Sequence, residues 1–302
     1  MKPHIKTTPT DRQRKLMGYI PMREPGVYSI RLHCIGGALT AENLVALSQI
    51  VTKYGTSEVH VTTRQSMELS NIPAKHLEAM HRDLTAAGLS PRGSGPWLRS
   101  IISCPGTRCR NGLIETTPLA KALYEAAGER KLPHKFKIGI TGCPNDCAGA
   151  TGNDFGVMGI LRKTLHEDQC MHCEACVRFC PVKALSLDGN NCVKLDEQAC
   201  VDCGKCISAC PVNAWESAGE AYRITLGAKG GRIPLTGHVY PYPLDSEEQV
   251  IALLTATLDW YSRHGQSRER FGATLNRIGW ELFLADTPRP VSPDNHLPPK
   301  GH

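Results

Sequence analysis

Residues 170–181 read Cys-Met-His-Cys-Glu-Ala-Cys-Val-Arg-Phe-Cys-Pro, and residues 200–211 read Cys-Val-Asp-Cys-Gly-Lys-Cys-Ile-Ser-Ala-Cys-Pro. Each stretch has the spacing C-x2-C-x2-C-x3-C-P, which binds [4Fe–4S] cubanes. Three thiolates at intervals of three wrap the corners of one cubane, while the fourth begins a separate turn and points at the partner cluster. This geometry assigns Cys170, Cys173, Cys176 and Cys210 to one [4Fe–4S] cluster, and Cys200, Cys203, Cys206 and Cys180 to another. Pro181 and Pro211 keep the following turn from continuing as helix. The repeat runs past the ligands, because Pro181-Val-Lys-Ala matches Pro211-Val-Asn-Ala, so a pseudo-two-fold ferredoxin module is expected. Zinc sites use pairs of cysteines separated by a longer span, which two runs of four do not match. His172 lies inside the first run, but the thiolates already fill that site.

The chain that holds this module has 302 residues, enough for two or three modest domains. No stretch approaches the roughly 18 apolar residues of a membrane span. The start, Met1-Lys-Pro-His-Ile-Lys, has no apolar segment behind its charges, so no secretory signal is visible. A soluble, cytoplasmic protein is expected. Its 14 cysteines then read as thiolates on metal rather than disulfides. They include a third grouping, Cys104, Cys109, Cys143 and Cys147, and leave Cys34 and Cys192 as small buried hydrophobes. The net charge of +6 comes without Lys/Arg runs or interleaved aromatics, which argues against nucleic acid. Clustered thiolates, an acidic cofactor and an anionic substrate would all need such positive charge.

The fold class expected is α+β. Residues 1–25, polar with four prolines, read as an N-terminal arm. Over 26–92, the pattern gives a strand at Val27–Leu32, a helix capped by Thr40, short strands at 59–63 and 66–69, and a helix over 74–87. That βαββα order suggests a ferredoxin-like half-domain. Residues 93–163 and 219–302 form a second domain. In it, strands enter Cys104 and Cys143, a helix spans 117–127, a Gly-rich loop covers 227–237, and helices span 246–263 and 268–284. The Cys-rich module, 164–218, is inserted within it, and a Pro-rich tail reads as extended.

The third cysteine set has spacings x4 and x3, which by themselves allow a third [4Fe–4S] cluster or another kind of metal site. Its context is more specific. Thr141-Gly-Cys-Pro-Asn-Asp-Cys147 resembles the cysteine box of the sirohaem-dependent sulfite and nitrite reductases. Leu132-Pro-His-Lys-Phe-Lys-Ile138 resembles their Lys-x-Lys segment, and His60-Val-Thr-Thr-Arg-Gln65 resembles the segment that lines the sirohaem. Arg31 and Arg99 fall where that family places its other active-site arginines. Arg270 to Gly279 is similar to a segment of the dissimilatory branch. With a ferredoxin module after the box, the arrangement resembles the C subunit of the anaerobic sulfite reductases. One departure is that the family usually has five residues between the first two cysteines of the box, and here there are four.

The resemblance implies sirohaem and three [4Fe–4S] clusters. It implies that Cys104, Cys109, Cys143 and Cys147 hold the sirohaem-coupled cluster, with Cys147 also the axial ligand of the sirohaem iron. Arg31, Arg99, Lys135 and Lys137 would pair with sulfite and deliver protons. Lys135 and Lys137, two residues apart in a strand, share one face. Arg64, Lys229 and Arg232 would bind the cofactor. The implied reaction is six-electron reduction of sulfite to sulfide, with electrons relayed through the two ferredoxin-type clusters. No dinucleotide fingerprint is present, so the donor would be a partner subunit or a ferredoxin. The family's longer members carry the half-domain and cysteine-box unit twice, which implies a homodimer or a heteromeric complex here. Nitrite reduction by the same site, and a pure iron–sulfur electron-transfer protein without sirohaem, are the alternatives.

Overall fold

The computed structural model describes residues 10–56, 58–92 and 95–287. The tail from 288 onward and residues 1–9 lie outside them. The first unit comprises α1 (Asp11–Leu16), β1 (Tyr19–Pro21), β2 (Val27–Arg31), α2 (Ala41–Lys53), β3 (Val59–Val61), β4 (Met67–Pro73) and α3 (Leu77–Ala86). Its sheet has the order β1-β2-β4-β3, antiparallel throughout. Tyr28, Ile30, Leu69 and Ile72 from the sheet meet Leu47, Ile50, Met80 and Leu84 from α2 and α3 in one buried core. Thr40 starts α2 through a capping box, in which its hydroxyl accepts from the Asn43 amide and Asn43 Oδ1 accepts in return.

The expected N-terminal arm is corrected here: residues 11–21 form a helix and the edge strand of this sheet. Pro21 sits in that strand, and an edge is where a sheet tolerates a missing amide donor. A polar, Pro-rich composition therefore hid a strand.

The second unit holds β5 (Ile102–Ser103), α4 (Thr116–Ala127), β6 (Ile138–Thr141) and β7 (Phe155–Leu165). After the Cys-rich segment it resumes with β10 (Trp215–Leu226), β11 (His238–Val239), α7 (Glu247–His264), α8 (Phe271–Ile278) and α9 (Trp280–Asp286). The sheet order is β11-β10-β7-β6-β5. β5, β6 and β7 run parallel, while β10 and β11 run antiparallel. α4 makes the crossover from β5 to β6. The crossover from β6 to β7 is the cysteine box itself. Phe136, Trp260, Tyr261, Phe271 and Phe283 close the core beneath α7 to α9. The single helix expected over 268–284 is two helices, because Gly279 takes φ +114° between α8 and α9.

β7 and β10 form a long antiparallel pair that closes at Leu165 opposite Trp215. Between these ends lie α5 (Ala175–Phe179), β8 (Leu185–Leu187), β9 (Val193–Leu195) and α6 (Lys205–Ala209), with β8 and β9 paired. The Cys-rich segment is thus a protrusion from one hairpin, a few residues shorter at each end than 164–218. No helix among the described residues is long and apolar enough to cross a membrane.

Candidate functional site

Open parallel sheets leave a crevice at the carboxyl ends of their strands, and there the first cysteines lie. Cys104 directly follows β5, and Cys143 follows β6 by two residues. Their loops are held against the sheet by glycines. A Cβ on Gly159 of β7 would come to 2.6 Å from the Gly142 carbonyl, and one on Gly112 to 2.0 Å from the Gly106 carbonyl. Larger residues would lift both loops away. The Gly142 amide donates to Cys104 Sγ at 3.0 Å, which fixes the sulfur at the end of β5.

Cys143 is pushed above the ordinary thiol range, first by burial and then by the neighbouring Cys104, Cys147 and Cys109. The four cysteines therefore gather, with Cys109 and Cys147 at the exposed side. Four thiols that repel one another as anions are a donor set that fits a multiply charged iron cluster. No three His, Cys, Asp or Glu side chains among the described residues converge as one bare metal ion requires.

The cationic residues collect at the opposite, amino ends of the same strands. Lys137 immediately precedes β6, Asp154 immediately precedes β7, and the Arg99 amide donates to the Phe136 carbonyl beside them. Lys137 is pushed down to about 8, first by burial and then by Arg64, Arg270 and Lys135. Lys135 is also lowered, by burial and then by Arg270 and Arg99. Burial, then Arg31 and Arg270, brings Arg99 to about 10, and its Nη1 has no protein partner. Such crowded, partly dried cations suit an anionic ligand. Cysteines and cations of one chain are thus separated by β6, four residues long or roughly 13 Å.

Two side chains that the sequence does not mark organise this end. Asp154 is fully buried, and its Oδ2 accepts from Arg270 Nη2 at 2.6 Å and from the Lys137 amide at 2.9 Å. A lone Asp in a loop carries no pattern that could have marked it. His33, pushed down to about 4 mainly by burial, packs edge-on against Tyr124.

Other sequence candidates take different positions. Arg31, the last residue of β2, faces Glu68 in register on β4 and pairs with it through Nε at 2.8 Å, so its charge is partly matched. Arg64 donates to the carbonyls of Ser100 and Ile138 and to Asn153 Oδ1, at 2.7–3.0 Å. Four of its hydrogen bonds fasten the first unit to the second. A cavity of about 1130 Å³ opens beside the cysteine box, lined by Thr151, Lys229, His238 and Trp280 among others. Of the cation candidates only Lys229 borders it, and Arg232 is exposed outside it.

In the protrusion, one small cavity is lined by Cys170, Cys173, Cys176 and Cys210, and a second by Cys180, Cys200, Cys203 and Cys206. The crossing of Cys180 and Cys210 between the runs follows the sequence spacing. Amides of Ala184 and Ala214 donate to Cys180 Sγ and Cys210 Sγ, both at 3.2 Å, repeating the same turn. The 14 cysteines form no disulfide; Cys34 is buried, whereas Cys192 is only partly so.

Comparison with known proteins bears on the same residues. The model of the nitrite and sulphite reductase 4Fe-4S domain matches residues 94–292, and that of the nitrite/sulfite reductase ferredoxin-like half domain matches 20–87. The coenzyme F420-dependent sulfite reductase of Methanocaldococcus jannaschii is 34% identical over 273 residues, covering 89% of this chain and 43% of that protein. The C subunit of the anaerobic sulfite reductase of Salmonella typhimurium is 30% identical over 195 residues, covering 57% of this chain and 56% of that one. The chain thus spans about half the length of these relatives. In fold, it matches a crystal structure of dissimilatory sulfite reductase I with a TM-score of 0.70 at 22% identity, over 91% of this chain and 72% of that one.

Proposed function

Since the chain belongs to the nitrite and sulphite reductase family, we propose that it reduces sulfite to sulfide, a six-electron reaction, at a sirohaem coupled to a [4Fe–4S] cluster. The family assignment implies both groups. When bound, they supply single electrons and a metal position for the anion. Cys104, Cys109, Cys143 and Cys147 would hold the cluster, with Cys147 on the sirohaem iron. In this reading Lys135, Lys137 and Arg99 bind the anion's oxygens, and Lys137, already lowered to about 8, holds a proton it gives up readily near neutrality. Arg31 contributes charge shared with Glu68. Lys229 borders the cavity beside the box and would meet a cofactor carboxylate. The exposed Arg232 and the fully engaged Arg64 have weaker claims to cofactor contact.

The observation that carries this reading is the pairing of two chemistries at opposite ends of β5 and β6: thiols at the carboxyl ends, crowded cations at the amino ends. Their separation favours a site shared between two polypeptides, the cysteines from one and the cations from the other. A second copy of this chain or a related subunit would serve, and the relative from Salmonella typhimurium is itself a subunit. The two cysteine sets of the protrusion would hold ferredoxin-type [4Fe–4S] clusters that link an external donor, a partner subunit or a ferredoxin, to the site. Fourteen cysteines with no disulfide between them suit a reducing, cytoplasmic setting. Anaerobic purification followed by iron analysis and tetrapyrrole extraction tests the cofactors. Turnover of sulfite against nitrite with an artificial donor tests the substrate, and clusters without tetrapyrrole would leave only an electron-transfer protein.

A further inference from the structure

We propose that Lys163 makes the two clusters of the protrusion unequal, rendering the one held by Cys200, Cys203, Cys206 and Cys180 the stronger electron acceptor. This rests on the ferredoxin-type reading of the protrusion given above. The two cysteine runs are a sequence repeat, so ligand type and spacing give the clusters no reason to differ. What remains is net charge, hydrogen bonding to sulfur and solvent exposure.

On all three counts the surroundings break the symmetry. Lys163 stands on β7 with its side chain only 6% exposed. Its Nζ donates to Cys200 Sγ at 3.2 Å and to Asp202 Oδ1 at 2.7 Å. Arg223 of β10 approaches the other oxygen of Asp202 at 2.5 Å. Lys163, Arg223 and Asp202 together leave one net positive charge against the thiolate. Nearby Arg162 is matched by Asp245 at 2.5 Å.

The other set has no such partner among the described residues. The counterpart of Asp202 in the repeat is His172, which is exposed and contacts the Asn191 carbonyl at 2.8 Å. The carboxylates nearest in sequence, Glu167, Asp168 and Glu174, are exposed and screened by water. The indole N–H of Trp215, which lines that cavity, is buried without a partner. The Ala214 amide on Cys210 Sγ is matched by Ala184 on Cys180 Sγ in the inner set, and Arg178 is exposed and donates to the Cys173 carbonyl at 3.0 Å, not to sulfur. A neutral donor is about half as strong as a charge-assisted one, so the ammonium wins.

Position gives the difference a direction. The Cys200 run lies against the main domain, where Gly204 packs on Leu161 and Lys205 Nζ donates to Asn111 Oδ1 at 3.0 Å, two residues beyond Cys109. At the other run, Met171 and Phe179 are 59% and 68% exposed. The stronger acceptor is therefore the inner cluster, and an electron arriving from outside moves downhill toward the cysteine box.

The test is an anaerobic redox titration of the whole protein, followed by electron paramagnetic resonance. The inner signal is identified by its change in Cys203→Ser. In Lys163→Met, that signal should move to lower potential while the outer one stays. Lys163→Arg should hold it near the native value. Arg223→Met, which removes charge from the same trio without touching sulfur, should shift it the same way by less. Unchanged potentials in both Lys163→Met and Arg223→Met would overturn the proposal, as would an inner cluster of lower potential than the outer in the native protein. Native protein lacking the protrusion's two cluster signals would overturn the ferredoxin reading and this inference together.

Discussion

Arg270 reaches 116 residues back along the chain to place its Nη2 2.6 Å from Asp154 Oδ2. Asp154 is fully buried, so the pair is shielded from water and salt. It ties α8 to the start of β7 and, through the Lys137 amide on the same oxygen, to the start of β6. One carboxylate thus anchors the crowded amino-end cations. Asp154→Asn keeps the shape and removes the charge, which strands Arg270 among like charges. Breaking one partner of a buried pair costs roughly 3–5 kcal/mol. Denaturant titration of the variant should show a loss of that order, and a loss below about 1 kcal/mol would show that the pair does not anchor this end.

Lys137 should give the protein an alkaline limb. Its ammonium is lowered to about 8 from an ordinary value of 10.5, with burial the largest cause. Below pH 8 it is charged in both folded and unfolded chains, and its desolvation cost is present in full. Between about 8 and 10.5 the unfolded chain binds the extra proton, so this residue's contribution to stability rises with pH. Anion affinity moves the other way and falls as the charge is lost. In the free enzyme kcat/KM for sulfite should decline around pH 8, and Lys137→Arg should shift that decline upward. An unshifted profile would remove Lys137 from the anion site.

Arg64 should behave as a clamp between the two units. An ammonium is a point charge and cannot reproduce the fork that meets Ser100, Ile138 and Asn153 together. Arg64→Lys is expected to cost roughly 2–4 kcal/mol in denaturant unfolding. A change within experimental error would show that these contacts do not carry the interface.

How much of this arrangement is legible in the sequence depends on the range of each interaction. Cubane coordination imposes short, fixed spacings, so spacing alone sorts the eight cysteines into the same two sets that line the protrusion's two cavities. α2 is legible because Thr40 caps it locally. β7 is not, since its first six residues are all buried and a strand covered on both faces does not alternate. Arg64 stands out as a candidate, but its partners are mostly backbone carbonyls distant in sequence, which no motif records. Asp154 is hidden for the same reason, as its partners lie at 116 residues' remove and just before another strand.

If each site joins the cysteines of one polypeptide to the cations of another, two defective copies should rescue each other. Coexpressed chains bearing Cys147→Ser and Lys137→Met should regain about a quarter of native sulfite turnover, since half the dimers are mixed and each has one intact site. Activity no higher than either variant alone, in a protein that is dimeric by sedimentation, would mean that sites are completed within one chain or by a different subunit.

The most direct measurement is the absorption spectrum and iron content of the anaerobically isolated protein beside its Cys147→Ser variant. Chlorin bands with about 13 iron per chain, three clusters of four plus the macrocycle iron, and a macrocycle spectrum altered in the variant, are the expected result. A native protein without chlorin bands, or a variant with the native spectrum, would contradict the thiolate-coupled site.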